Sequence, residues 1–502
     1  ERPVVATEIA LDQSAGIRLP APFTFKSRVR GPAAEALKAG SLTGTKEQID
    51  TFVEKLAANY VGESAVVASR EIVVDPAAGT ATVTATGIAY PDWTRENGKI
   101  RYGLDRAVGE LNFNPDRARA AWRDMPVRTA NPEVNTLTTR IKLPRGGAGF
   151  TVDGPESYDD TLAARRVIRT VSRTGDELVV NERIVELGGE VAPSDIPSER
   201  QKIAAAKAKL PMAVASADYP DFVTEVQAAR AGKRLAPIDA LYAKRIADDP
   251  DDRSRYTDRA WFANRVMDRK AAIADLDRAL ALEPTVGTYL QRSRYYSALG
   301  QDAAAMKDAD AALKLDPGSD SALLRVATLT AEAGKGDAAV AMVQPRIDEG
   351  GKERPGRMAW KADLQALAGD YPGAVATLDE AIAAKPGDPD LLNSRCWTKG
   401  TGNLALDTAL KDCTKAIELA DDSSSALDSR GLVYLRLNRF EDALADLNAA
   451  IDADPDQSAS LFLRGVVLRR MGKTADGDRD IAVARALVPR IDRDYKRWGI
   501  VP

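Results

Sequence analysis

The 502-residue chain contains no histidine and only two cysteines. Without an imidazole there is no Ser-His-Asp triad, no Cys-His dyad and no histidine-ligated zinc. Two thiols alone cannot form a four-thiolate zinc site or hold an iron–sulfur cluster. An excess of one charge is also missing. The 70 Lys+Arg and 74 Asp+Glu leave a net −4, so there is no basic footprint for nucleic acid and no polybasic membrane anchor. No stretch reaches the roughly 20 apolar residues of a membrane span. The start, Glu1-Arg2-Pro3, has neither an initiator Met nor an apolar signal region, so a processed or trimmed chain is expected. These absences remove most enzyme classes and leave no cofactor or metal to expect. What the chain does have is length. At about 150 residues per domain it holds about three domains' worth of material and can bury sizeable cores.

The expected fold class is α+β multidomain. Up to about residue 190 the chain reads as strands. Ile72-Val73-Val74 and Thr80 to Thr86 flank Asp75-Pro76-Ala77-Ala78-Gly79, a hairpin signal. Val167 to Arg173 and Leu178 to Val185 flank Thr174-Gly175-Asp176 in the same way. Ile17 to Val29 and Asn135 to Leu143 are further strand candidates. Ile49, Phe52, Val53, Leu56 and Tyr60 recur at helical spacing, which places one inserted helix over 45–60. A β-sandwich-like domain over 1–190 follows. Residues 191–218, with Pro193, Pro197 and Pro211, read as a helical linker. Beyond it the chain reads as helical to its end. Gly146-Gly147-Ala148-Gly149 lacks the Lys-Ser/Thr of a phosphate loop and reads as a strand connection.

The second half has a beat. Pro284, Pro317, Pro386, Pro455 and Pro489 end Ala-rich runs, with gaps of 33, 69, 69 and 34 residues. A two-helix unit of about 34 residues resembles the tetratricopeptide repeat. The family's small eighth place falls on Ala260, Ser293, Ala327, Ala362, Trp397, Gly431 and Gly465. Its twentieth falls on Ala272, Ala305, Ala339, Ala374, Ala409, Ala443 and Gly477. Its twenty-seventh is Ala except at Arg346. Trp397 and Arg346 are large where the family is small, so irregular packing is expected over 320–420. The resemblance implies an α-solenoid of seven repeats over 253–489. A degenerate capping repeat is expected over 219–252 and a C-terminal capping helix over 490–502, since solenoid ends must cover an apolar face.

In such an array the first helices of the units line an inner groove. The family's inward places supply Trp261, Asn264, Leu290, Arg294 and Asp363, then Asp428, Leu432, Leu435, Phe462, Val466 and Arg469. Apolar anchors flanked by Arg and Asp suit a partner protein or peptide, the competing reading being packing between repeats. Cys396 and Cys413 fall in one unit, with their midpoint just beyond Gly402-Asn403, where the interhelix turn is expected. An antiparallel pair would bring them to one height and permit a disulfide; two buried free thiols are the alternative.

The N-terminal half carries Pro115-Asp116-Arg117, Trp122, Pro126-Val127 and Ile141 to Gly146, then Glu186-Leu187-Gly188-Gly189 and Pro193-Ser194-Asp195. This series resembles the β-rich region of Gram-negative envelope proteins that carry a transglutaminase-like core. The resemblance implies a periplasmic or outer-membrane-associated location and partners in an envelope complex. A catalytic core of that kind needs Cys, His and Asp; histidine is absent and both cysteines lie in repeats. The expected role is therefore a non-enzymatic interaction scaffold. The alternative is an accessory part or fragment of a transglutaminase-like enzyme whose core lies outside this chain.

Overall fold

The computed structural model describes residues 2–96 and 99–502; Glu1 lies outside them. The chain divides into two compact units, Glu1–Asp248 and Asp249–Pro502.

The strands of the first unit begin with β1 (Val5–Asp12), β2 (Ala21–Arg30), β3 (Val66–Asp75), β4 (Thr80–Ala89) and β5 (Thr94–Glu96). Next come β6 (Lys99–Gly103), β7 (Val127–Arg128), β8 (Glu133–Lys142), β9 (Phe150–Asp153) and β10 (Ser157–Leu162). The last are β11 (Arg165–Thr174), β12 (Glu177–Glu186), β13 (Glu190–Val191) and β14 (Met212–Ala215). The helices are α1 (Pro32–Thr43), α2 (Lys46–Val61), α3 (Ala120–Arg123), α4 (Ile196–Lys207), α5 (Phe222–Ala231) and α6 (Ala236–Asp248).

An eight-stranded sheet runs β10-β11-β12-β8-β1-β2-β4-β3, and a four-stranded sheet runs β5-β6-β14-β9. In the larger sheet β1 and β8 pair in parallel and the other neighbours are antiparallel. Alternation along β2 turns Phe23, Phe25 and Ser27 inward and Thr24, Lys26 and Arg28 to solvent. That inner face shares one core with Ile100, Phe150, Ala213 and Ala215 of the smaller sheet and with Val53, Ala57 and Val61 of α2. The arrangement is sandwich-like. Both expected hairpins form, β3–β4 and β11–β12, the second turning on Gly175-Asp176. The expected helix is α2, started by a capping box between Thr45 and Gln48.

Two boundaries differ from the sequence reading. Residues 191–218 are not a linker. β14 is an inner strand, bonded on both sides to β6 and β9, and α4 buries Ile196 and Ile203 beside Leu162 and Val167. Residues 219–252 are not a capping repeat either, since α5 and α6 belong to the first unit. The Glu225 carboxylate accepts from the Ile17 amide at 2.8 Å and from the Tyr219 hydroxyl, and Tyr242 bonds Tyr90 at 2.6 Å. The signal misread was shared composition: Ala-rich amphipathic helices ending at Pro250 look alike in either setting.

The second unit runs α7 (Arg253–Arg265), α8 (Arg269–Leu282), α9 (Val286–Ala298), α10 (Asp302–Leu315) and α11 (Asp320–Glu332). It continues with α12 (Gly336–Asp348), α13 (Arg354–Leu367), α14 (Tyr371–Ala384), α15 (Pro389–Gly402) and α16 (Leu406–Leu419). The last are α17 (Ser424–Arg436), α18 (Phe440–Ala453), α19 (Ser458–Arg470), α20 (Thr474–Leu487) and α21 (Ile491–Arg497). From α7 to α20 they stand as seven successive helix pairs. The small residues of the twentieth place are buried in every pair. In the last pair a Cβ on Gly465 would come within 2.7 Å of the Gly477 carbonyl, so only glycine allows that approach.

An Arg–Asp pair recurs across the pairs: Arg259–Asp275, Arg292–Asp308, Arg395–Asp412, Arg430–Asp446 and Arg464–Asp480, each clamping a carboxylate through two guanidinium nitrogens. Each Arg directly precedes the small residue of the first helix. The same rule places Cys396, not Trp397, at the small contact of the α15–α16 pair. One extra residue there widens the Arg–Asp spacing to 17 from 16 elsewhere. The turn absorbs it with Asn403 and Ala405 in the left-handed region, at φ 53° and 45°. Arg346 remains at its place and reaches out of the pair, donating to the Pro317 carbonyl at 3.0 Å and Glu349 at 2.9 Å.

Candidate functional site

α21 rests on the last helix pair, where Arg485 of α20 clamps Asp492 at 2.7 and 2.8 Å, and it also reaches earlier repeats. It turns back among the first helices of the repeats. The Arg490 guanidinium donates to the Ser297 carbonyl at the end of α9 and to Asp302 at the start of α10, both at 3.1 Å. Arg493 pairs with Glu332 of α11 at 3.4 Å. The Tyr495 ring stacks on Phe462 of α19, 4.4 Å between centroids, and its hydroxyl donates to the Ala459 carbonyl at 3.3 Å. Trp498 packs edge-on against Trp397 of α15 at 5.3 Å, and its carbonyl accepts from Arg436 of α17. Arg436 is itself fixed by the carbonyls of Gly400 and Thr401, each at 3.2 Å.

First helices from five repeats therefore surround one short helix. The array curves enough for its ends to meet. Arg265 pairs with Asp456 at 2.6 Å, and Arg269 donates to the Leu487 carbonyl at 2.5 Å. Ile491 and Tyr495 form the buried side of α21, and Ile500 beyond it is also buried.

Enclosure shows in the carboxylates. Burial pushes Glu332 up, with the nearby Asp494 adding to it, and burial also raises Asp494. Burial raises the Tyr495 phenol well above its ordinary value. Asp428 is pushed up to about 6 by burial, against the Ser460 hydroxyl that donates to it at 2.5 Å. Asp363 keeps an exposed surface, yet the protein around it pushes it up to about 6 as well.

Six of the eleven expected groove residues are buried and cannot offer their side chains to a partner in this state: Leu290, Asp428, Leu432, Leu435, Phe462 and Val466. Their reasons differ. Leu290 packs with Ala312 and Ala322, and Leu432 lies against Gly400 of the preceding repeat, both contacts within the stack. Asp428 is tied to the next repeat through Ser460. Phe462 faces the groove but is covered by Tyr495. Trp261 (45% exposed), Arg294, Asp363 and Arg469 remain accessible, and Asn264 is half-buried. The sequence reading left Trp397 and Arg436 out of the groove, and it placed a helix over 490–502 without its contacts to earlier repeats. The available signal was Tyr495 and Trp498 close together on an otherwise charged tail.

Cys396 and Cys413 join in a disulfide across α15 and α16, with Cα atoms 5.5 Å apart. Among the described residues no group of His, Cys, Asp and Glu is arranged to hold a metal ion. No described helix is long and apolar enough to cross a membrane.

A model of the tetratricopeptide repeat matches residues 286–319 and 424–457, the α9–α10 and α17–α18 pairs. No curated protein matches the chain. Among solved structures, a tetratricopeptide repeat protein from Parabacteroides merdae is 16% identical, with a TM-score of 0.38, over 49% of this chain and 97% of that one. Yeast Tom70 is 16% identical, with a TM-score of 0.40, over 55% of this chain and 58% of that one. A thermophilic repeat protein from Thermus thermophilus is 20% identical, with a TM-score of 0.32, over 37% and 99%. These matches do not extend to the transglutaminase-like resemblance of the N-terminal half. The C-terminal half of the chain carries tetratricopeptide repeats.

Proposed function

We propose that the repeat unit is a non-enzymatic scaffold that receives a short amphipathic helix of a partner protein along its first-helix face, in the bacterial cell envelope. The observation that carries this reading is α21. The face already holds a helix through an aromatic stack on Phe462, an edge contact with Trp397 and arginine pairs at Asp302 and Glu332. A partner with an aromatic pair on one side and arginines on the other would use the same contacts, with Arg294 and Asp363 as accessible polar neighbours. The partner then competes with α21. The disulfide fits an oxidising compartment and so supports an envelope location. The missing imidazole and the thiols consumed in that bridge speak for binding over thiol or triad catalysis.

The test uses the chain ended at Pro489 and a synthetic peptide of residues 490–502. Calorimetry should show one-to-one binding that Phe462→Ala weakens at least tenfold, and the full-length chain should bind the peptide much more weakly. A photo-crosslinker at Arg294 should then capture an envelope protein more strongly from the shortened chain. Absence of peptide binding to the shortened chain would overturn the receptor, and equal capture by both chains would overturn the competition.

A further inference from the structure

The first unit contains a cavity that the repeat reading leaves unused. It measures about 710 Å³ and lies between the α1–α2 pair and the inner face of the large sheet. Small-molecule sites occupy roughly 300–1,000 Å³. Val29, Ile72 and Val83 form the floor, and Leu37, Phe52 and Leu56 form the walls.

The space arises from α1. This helix runs 12 residues yet buries only Ala34. Along the cavity it presents the small, exposed Ala33, Ala36 and Gly40 beside Leu37, and small side chains leave the space open. Among the described residues no Asp, Glu, Lys or Arg lines the cavity. Tyr60 is one of the polar residues that do, and four others are bonded within the protein. Ser27 bonds Thr7 at 3.1 Å, Ser41 and Thr43 donate to the Lys38 and Ala39 carbonyls at 2.9 Å, and Gln48 accepts from the Thr45 amide at 3.0 Å.

The cavity is long. Its lining runs from Ala33 to Thr43 on α1 and from Gln48 to Tyr60 on α2, which at the helical rise is about 15 Å and about 18 Å. At one end Val5 and Tyr60 also border a separate cleft of about 240 Å³, which holds Asn135, Arg106, Arg165, Glu110 and Glu182. Its two guanidinium groups and two carboxylates balance. A long apolar bore beside a small, charge-balanced polar cleft matches one kind of ligand.

We propose that the first unit binds a single-chain amphiphile, its hydrocarbon chain between α1 and the sheet and its neutral or zwitterionic head in the cleft bounded by Arg106 and Asn135. The proposal is independent of what the repeats bind.

The probe is palmitoyl-lysophosphatidylcholine below its micellar concentration, added to the full chain and followed by native mass spectrometry and calorimetry. One-to-one binding is expected. Gly40→Leu and Ala36→Leu place side chains into the bore from the helix, and a Cβ on Gly40 meets no heavy atom within 4 Å, so folding should survive. Each should weaken binding at least tenfold while the melting temperature holds or rises. No adduct with the parent chain, or equal affinity in both variants, would overturn the proposal. Binding of palmitate in preference to the lysophospholipid would overturn the head-group assignment. A dimer of the parent chain that Gly40→Leu dissociates would show that the bore is a protein contact instead.

Discussion

Asp412 and Asp428 are two buried aspartates of the repeats whose surroundings differ in sign. Asp412 receives Arg395 through two nitrogens at 2.5 and 2.9 Å and the Lys399 ammonium at 2.7 Å. Removing it takes the carboxylate from the buried Lys399, while Arg395 keeps its second partner, Asp379, at 2.7 Å. Asp412→Ala should cost about 3 kcal/mol in urea unfolding, in the range measured for breaking buried pairs. A loss near zero would mean the recurring Arg–Asp pairs act as solvated surface pairs. Among the described residues Asp428 meets no cation and accepts from the Ser460 hydroxyl. Its folded value of about 6 lies above the ordinary 3.8, so the native state holds its proton more tightly than the unfolded chain. That contribution is fully present below the ordinary value and is lost as pH rises through the folded one. Asp428→Asn should therefore raise stability by about 2 kcal/mol at neutral pH and add little below about pH 4. An equal gain at both pH values would place the effect in packing instead of ionisation.

At the scale of elements, the helix pairs were legible because small residues must recur wherever two helices approach closely, and the period survives a missing proline. The site was legible only in part. Periodicity says which face of a helix turns inward; it does not say whether a neighbouring repeat or a distant segment covers that face. Leu432 and Phe462 share an inward face, and one is sealed by its neighbour in the stack, the other by a helix more than 30 residues downstream. α1 was missed for a related reason: its Ala and Gly residues make too faint an apolar stripe to read as a packed helix. The misplacement of Trp397 came from one inserted residue, which a fixed count cannot detect and the Arg–Asp pairs can. With Cys396 at the small contact, alanine becomes its native-like replacement, as Ala260 and Ala362 show in other repeats. The double variant Cys396→Ala, Cys413→Ala should keep the packing and lose only the crosslink. Chain-entropy arguments for a bridge spanning 17 residues give a cost of about 3 kcal/mol, readable as a lower urea midpoint. Equal stability of the oxidised parent and the double variant would remove the bridge from the list of stabilising features.

At the scale of the whole molecule, the boundary between the units was the feature least available to sequence reasoning. Local pattern follows α5 and α6 into the repeats, because all are short, Ala-containing helices and Pro250 closes them as proline closes the later units. What assigns them to the first unit is pairing across more than 150 residues of chain: Glu225 with the amide of Ile17, and Tyr242 with Tyr90. Glu225 lies against Gly16 so closely that a Cβ there would fall 2.4 Å from its carboxyl carbon. Phe222, Val226, Ile238 and Tyr242 are almost fully buried, so removing the two helices would strip large apolar surfaces from a core that nothing else covers. A fragment ending at residue 248 should therefore fold alone, with dispersed amide resonances and a cooperative melt. A fragment ending at residue 218, the edge of the expected linker, should bind a hydrophobic dye and melt without cooperativity. Cooperative folding of the shorter fragment would return α5 and α6 to the solenoid and undo the division at Asp248.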